Sequence, residues 1–136
     1  MTAFVQPLGR MMLALIFILA GVGKIMDPAG NMGYMQSMGV PSILLWPTIA
    51  LEVLGGLAVA VGYKTRYAAI ALAIFSIAAA VIFHRNFADQ MQMILFLKNI
   101  AMAGGLLLLA AGGRTAYSMD NRRTQTNFFG TRQEKR

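Results

Sequence analysis

The sequence predicts an all-α integral membrane four-helix bundle, built as two antiparallel hairpins, and three observations carry that prediction. Of 136 residues, 57% are hydrophobic and only 12% charged, about half of the roughly 25% charged share of a soluble domain. Four segments approach the roughly 20 apolar helical residues needed to cross a bilayer core of about 30 Å. The second and third segments, and the third and fourth, are joined by connections so short that consecutive helices must be antiparallel neighbours. The composition also excludes a disordered chain, and the length suits one domain.

The first span is placed at 8–26. Arg10 followed by the apolar run 11–22 has the shape of a signal peptide. However, Gly21 and Gly23 make a poor cleavage site and the apolar run continues to Met26, so an uncleaved helix is expected. The next connection is the only long one, and it carries its own helix signature over about 28–38. Asp27 is placed as N-cap and Pro28 at the first helical position, and Gly39 stops the helix before Pro41. Met32, Met35 and Met38 give this helix an apolar side, which suits the membrane surface, with Tyr34 and Trp46 at headgroup level. The second span is placed at 43–62, where Pro47 either kinks the helix or opens it. The third is placed at 67–85 and the fourth at 91–112, completing a transmembrane domain over 1–112. Residues 113–136 read as a basic, solvated, cytoplasmic tail.

The formal charge of +7 could suggest nucleic acid, but its distribution does not. Arg10, Lys64, Arg66, Arg114, Arg122, Arg123, Arg132, Lys135 and Arg136 fall on one side of the bilayer, accompanied by Asp120 and Glu134. The remaining ionisable residues, Lys24, Arg85 and Lys98 against Asp27, Glu52 and Asp89, cancel. The surplus is therefore a positive-inside signal that puts both termini in the cytoplasm, and no nucleic-acid partner is needed to explain it. Contact with anionic lipid headgroups is compatible with the basic tail.

There is no cysteine, which removes disulfides, thiol redox chemistry, iron–sulfur ligation and zinc–thiolate sites. A single histidine cannot make a bis-histidine haem. Methionines gather toward the outer side, but without cysteine or a second histidine they read as adaptable apolar filler, so no metal site is expected. Gly21-Val22-Gly23-Lys24 lacks the glycine spacing and the following Ser or Thr of a phosphate loop.

Ionisable groups inside a span cost about 2.5–3.5 kcal/mol each on insertion scales. The candidates are Lys24, Glu52, His84 and Lys98, one on each span and all in the outer half, with Asn99 beside Lys98. Gly55 and Gly56 follow Glu52, and Met102 and Gly105 follow Lys98, so small or adaptable residues share their faces. This spacing points to Glu52 and Lys98 facing each other across the interior. Two readings are open. In one, Glu52 and Lys98 form a structural ion pair fixing helix register, with Lys24 and His84 reaching out to headgroups. In the other, Lys24, Glu52, His84, Lys98 and Asn99 line a polar pocket for a quinone head group, Lys98 and His84 donating hydrogen bonds and Glu52 exchanging protons. Asp27, Asn86, Asp89, Gln90 and Gln92 read more simply as caps and loop residues. Glu52 before Gly55-Gly56 and Lys98 before Gly104-Gly105 also hint at a parallel internal repeat.

These motifs, taken in order, resemble the DoxX family of small bacterial inner-membrane proteins. They are Gly23-Lys24, Asp27-Pro28, Tyr34, Ser37-Met38-Gly39-Val40-Pro41, Glu52 with Gly55-Gly56, His84, and Lys98-Asn99 with Gly104-Gly105, spread over about residues 8–112. The resemblance implies a four-helix inner-membrane bundle and an association with quinone-linked oxidoreductases or oxidative-stress complexes. A direct thiol role is not open to a chain without cysteine. Two functions of different class follow. One is a membrane subunit that supplies a quinone-binding or proton-exchange site to a redox partner protein. The other is a non-catalytic scaffold, acting through its small-residue faces and its Met-rich outer helix, either as a homo-oligomer or with a partner complex. A transporter would need an oligomer to form a pathway.

Overall fold

A computed structural model describes residues 2–112, 115 and 117–121. Arg114 and positions 122–136, and the expectations placed on them, lie outside the described residues. Among the described residues five α-helices follow one another: α1 Thr2–Met26, α2 Pro28–Ser37, α3 Leu45–Val61, α4 Thr65–Phe83 and α5 Gln90–Ala111. α1, α4, α5 and the segment Ser42–Val61 are each long and apolar enough to cross a membrane, so the four-span bundle is as expected. α1 starts earlier than 8 because Phe4, near its start, stacks on Tyr117 at 6.2 Å between ring centroids.

The helix ends follow local chemistry. The Asp27 carboxylate accepts a hydrogen bond from Gly30 N at 3.1 Å, capping α2, and Pro28 opens that helix. α2 ends in a Schellman arrangement, with Gly39 at φ 76, Val40 N bonded to Met35 O and Gly39 N to Gln36 O. A 3₁₀ turn, Ser42–Leu44, leads into α3. Pro47 thus falls in the first turn of α3, where a missing N–H leaves no intrahelical bond broken, so it opens the helix and does not kink it. Asp89 caps α5 through Met91 N at 3.0 Å.

The spans pack as two tight pairs, α1 with α3 and α4 with α5. α3 and α4 meet more loosely, and α1 and α5 only barely. α3 and α5 consequently stand on a diagonal. Glycine makes the α1–α3 approach possible. A Cβ on Gly56 would lie 2.8 Å from Ile18 Cγ1, and one on Gly21 would lie 2.5 Å from Val53 Cγ2. Between α4 and α5 the small residues Ala69, Ala73, Ala103 and Ala110 surround Leu72 and Leu106 in the main core. A second, smaller core forms where α2 folds back. Met35, Leu45 and Ile49 pack there with Met32, Val40, Val53 and Phe83, and Tyr34 stacks on Phe83 at 5.5 Å. The apolar side expected of α2 is therefore spent on its own protein at Met32 and Met35, while Met38 stays exposed.

At Thr115 and 117–121 the structure differs from the solvated tail expected there. Thr115 and Ser118 are buried, because Arg10 donates to Thr115 Oγ1 at 3.0 Å and to Tyr117 O at 2.9 Å. The backbone N of Asp120 reaches Gly62 O at 2.9 Å. This part of the chain closes the end of the bundle at which the N-terminus lies, called here the terminal end; the opposite end is the α2 end.

The packing predicts a contrast among glycines. Gly56→Ala should destabilise the protein by about 1–3 kcal/mol through overpacking. Gly104→Ala, whose Cβ would meet nothing within 4 Å, should be neutral or slightly stabilising. Thermal unfolding in mild detergent measures both, and equal behaviour of the two variants would contradict the α1–α3 contact.

Candidate functional site

Glu52 lies near the middle of its span, on the strip of α3 between Gly56, which meets α1, and Gly55, which meets Leu72 of α4. It is 3% exposed. Its partner is Lys24: the ammonium lies 3.0 Å from both carboxylate oxygens. The expected facing of Glu52 and Lys98 is therefore corrected. α5 is diagonal to α3, whereas α1 is packed against it. A helical side chain leans toward the N-terminus of its own helix. From the last turn of α1 that direction runs into the span, so Lys24 descends to Glu52 and does not reach outward to headgroups.

Lys98 is exposed, and among the described residues no carboxylate lies within 4 Å of it. It lines a cleft of about 570 Å³ along the seam where α1 and α5 barely touch. Val5, Met12, Leu13, Ile16, Met102 and Leu109 make the apolar walls, together with Gly9 and Gly105. Gln6, Arg10 and Thr115 lie at the terminal end. Gly105 sets how closely the walls approach, since a Cβ there would stand 3.3 Å from Leu13 Cδ2.

The other two expected site residues stand apart from this pair. His84 Nδ1 lies 2.9 Å from Gln92 Oε1, linking the α4–α5 connection at the α2 end. Asn99 is buried, but its Nδ2 donates to Leu95 O at 2.9 Å within its own helix and does not join Lys98 in the lining of the cleft. Of the five residues, the structure joins Lys24 to Glu52, gives Lys98 to the cleft, and leaves His84 and Asn99 in local roles.

Two residues at the terminal end were missed by sequence reasoning. Arg10, counted there only as a topological charge, is 2% exposed and is the hub on which the chain after α5 is anchored. Asp120 caps α4 from 55 positions away, accepting from Lys64 N at 2.7 Å, Thr65 N at 2.9 Å and Thr65 Oγ1 at 2.8 Å. A signal for it exists in the sequence. α4 begins among Lys64, Thr65 and Arg66 with no acid in its first turn, while a helix N-terminus favours a carboxylate. Asp120 is the nearest acid on that side of the chain. Burial pushes the Asp120 carboxyl up, but hydrogen bonds from Thr65 and Lys64 and the charge of Arg10 outweigh it and hold the group below the ordinary carboxylate range.

The sequence model of the DoxX family matches residues 6–85, which contain Arg10, Lys24, Glu52 and His84 and end before Lys98. The inner membrane protein YqjF of Escherichia coli (strain K12) is 45% identical over 111 residues, covering 82% of this chain and 85% of that protein. The inner membrane protein YphA of the same organism is 36% identical over 122 residues, covering 85% and 87% respectively. No solved structure matches the chain.

Two outcomes are expected from this geometry. Lys24→Met strands a buried carboxylate and should cost about 3 kcal/mol, while adding Glu52→Leu should recover most of that loss. Lys98→Met should show no such coupling to Glu52, and a double-mutant cycle of unfolding in detergent reads all three. A group whose folded pKa is depressed contributes its full stabilisation above the unfolded value, about 3.9 for Asp, and loses it as pH falls through the folded value. The contribution of Asp120 should thus be constant at neutral pH and disappear below about pH 4. Melting temperatures across that range should show the loss in the native chain and lack it in Asp120→Asn.

Proposed function

The chain belongs to the DoxX family and is an inner-membrane protein, and from that premise we propose that it is a membrane subunit providing a quinone-binding and proton-exchange site to an oxidoreductase or oxidative-stress complex. The single observation that carries this reading is Lys98, a cation in the middle third of its span, facing a cleft with no carboxylate among the described residues to neutralise it. A lysine at such depth is expensive unless it is matched. The volume is in the range of small-molecule sites, about 300–1,000 Å³, and the walls are apolar apart from a few polar groups.

The donor set fits a quinone head group. Lys98 would hold it by donating to a carbonyl oxygen, and the apolar walls would accept its chain. When bound, a quinone supplies acceptance of two electrons and two protons. The remaining chemistry belongs to the protein. The Lys24–Glu52 pair holds exchangeable protons at mid-membrane. Electrons come from a substrate or partner protein, because a cysteine-free chain has no thiol couple of its own. Both termini are cytoplasmic in this reading, as the charge bias requires.

A scaffold role is the second reading. Gly23 and Gly104, with nothing within 4 Å of a Cβ at either, leave small residues on outward faces where another helix could approach. Met35, turned into the protein, is not part of such a surface.

Native mass spectrometry from mild detergent, followed by titration with a membrane quinone, tests the primary reading. Bound quinone is expected in the native chain. Lys98→Met should weaken binding about tenfold or more, the value of one charge-assisted hydrogen bond. Arg85→Met should leave binding unchanged. Absence of quinone from the native chain, or equal affinity in Lys98→Met, would refute it, and a stoichiometric protein partner without quinone would favour the scaffold.

A further inference from the structure

The terminal mouth of the cleft is made by side chains that also fasten the chain after α5. Arg10 and Thr115 both line the cleft, and they are bonded to each other at 3.0 Å. Beyond Thr115 the described residues 117–121 lie across the terminal end and attach at separate places. Tyr117 O accepts from Arg10 and the Tyr117 ring stacks on Phe4, both on α1. Asp120 bonds through its backbone to Gly62 and through its carboxylate to the start of α4. Ser118 Oγ donates to Thr115 O at 2.7 Å and accepts from Asn121 N at 3.2 Å, which fixes the turn between those attachments. The fit at Gly62 is close enough that a Cβ there would collide with Arg10 Nη1 and Ser118 Cβ, and its φ of 71 also favours glycine. α1, the end of α3 and the start of α4 are thus tied together at the terminal end, while the long side of the cleft between α1 and α5 faces the bilayer.

We propose that Arg10 and Asp120 are specificity-determining residues: Arg10 holds Thr115 at the terminal mouth and Asp120 anchors the residues that follow it, together a latch, so that the cleft takes ligands dissolved in the bilayer by an apolar chain and slows the entry of water-soluble ones. The identification of the ligand as a quinone rests on the function proposed above, but the latch itself does not. A ligand arriving sideways must first partition into lipid, which a chain of many methylene units provides at about 0.8 kcal/mol each. A ligand arriving from water would have to displace a hydrogen-bonded network that includes a charge-assisted cap on α4.

The absence of cysteine makes the latch directly testable in the full chain reconstituted in lipid vesicles permeabilised to give access to both faces. Leu109→Cys places one thiol in the cleft near its terminal mouth, and Leu97→Cys, on an exposed apolar face, is the control for lipid-facing positions. With the latch intact, a charged, membrane-impermeant maleimide should label neither. Adding Asp120→Ala should speed labelling at position 109 by about tenfold or more, the effect of losing one charge-assisted hydrogen bond, and leave position 97 unlabelled. Asp120→Asn serves the same purpose if Asp120→Ala does not fold. Rapid labelling at 109 with the latch intact, or no acceleration in a folded Asp120 variant, overturns the latch. In a second arm, the tail-less analogue of a prenylated quinone should associate with the folded Asp120 variant about tenfold or more faster than with the native chain, while the prenylated quinone associates with both at the same rate. An unchanged association rate for the analogue overturns the specificity role. If neither quinone binds the native chain, the quinone assignment fails while the maleimide result still decides the latch.

Discussion

The buried contact between Lys24 and Glu52 governs much of the rest of the bundle. A carboxylate at mid-span cannot be hydrated and is tolerated only when a cation meets it with good geometry. Here the ammonium is equidistant, at 3.0 Å, from both oxygens. That geometry requires the α1 and α3 backbones to approach closely at the same level, and the sequence supplies glycine on both helices. Gly21 lies against Glu52 and Val53, and Gly56 lies against Ile18 and Ala14. The ion pair and the glycine contacts therefore specify one register between them. A slip of one residue would break the charge pairing and bring a side chain into backbone at once.

Committing Glu52 to α1 leaves the other side of the bundle with unmatched polarity. α4 and α5 form their own tight pair through alanine-rich faces, and Gly55 against Leu72 joins α3 to α4. The last seam, between α1 and α5, is the loosest, and its walls come close at Leu13 and Gly105. In water such an opening would be driven shut by the hydrophobic effect. In a bilayer, lipid chains solvate its walls as well as another helix would, so no comparable force closes it. The cleft can persist, and its single mid-membrane cation then becomes its distinguishing chemical feature.

Much of the fold was legible in the sequence because the bilayer imposes few solutions. Span length, short connections, Asp27 with Pro28 and Gly39 each act through a local rule, and the helices fall within a few residues of their expected bounds except at the start of α1. The site was legible as a set of residue types and not as an arrangement. Knowing that Glu52, Lys24 and Lys98 occupy similar depths does not say which helices are adjacent and which diagonal, and the pairing turned on that. Side-chain direction gave a usable clue for Lys24, since a lysine in a last turn points back along its helix. Arg10 and Asp120 were hidden for a different reason. Their partners lie more than 50 positions away along the chain, and a cap supplied from so far leaves only the indirect mark of a helix start without its own acid.

The direction of the helices also explains why one depth concentrates the polarity. α1 and α5 run oppositely through the bilayer, so their side chains lean in opposite senses. Lys24 starts in the last turn of α1 and leans toward the middle. Lys98 starts near the middle of α5 and leans toward the α2 end. Two ammonium groups anchored at different levels are thereby brought toward a common one, where Glu52 neutralises only the first. One net positive charge is left in a medium of low dielectric, where its field is screened far less than in water. In the function proposed above, what answers that field is a lipid-soluble molecule with an electron-rich oxygen, a choice favoured by α2 packing over one end of the bundle and by Arg10 with Thr115 standing at the other. The arrangement that makes Glu52 structurally tolerable is, on that proposal, the one that frees Lys98 to select a ligand.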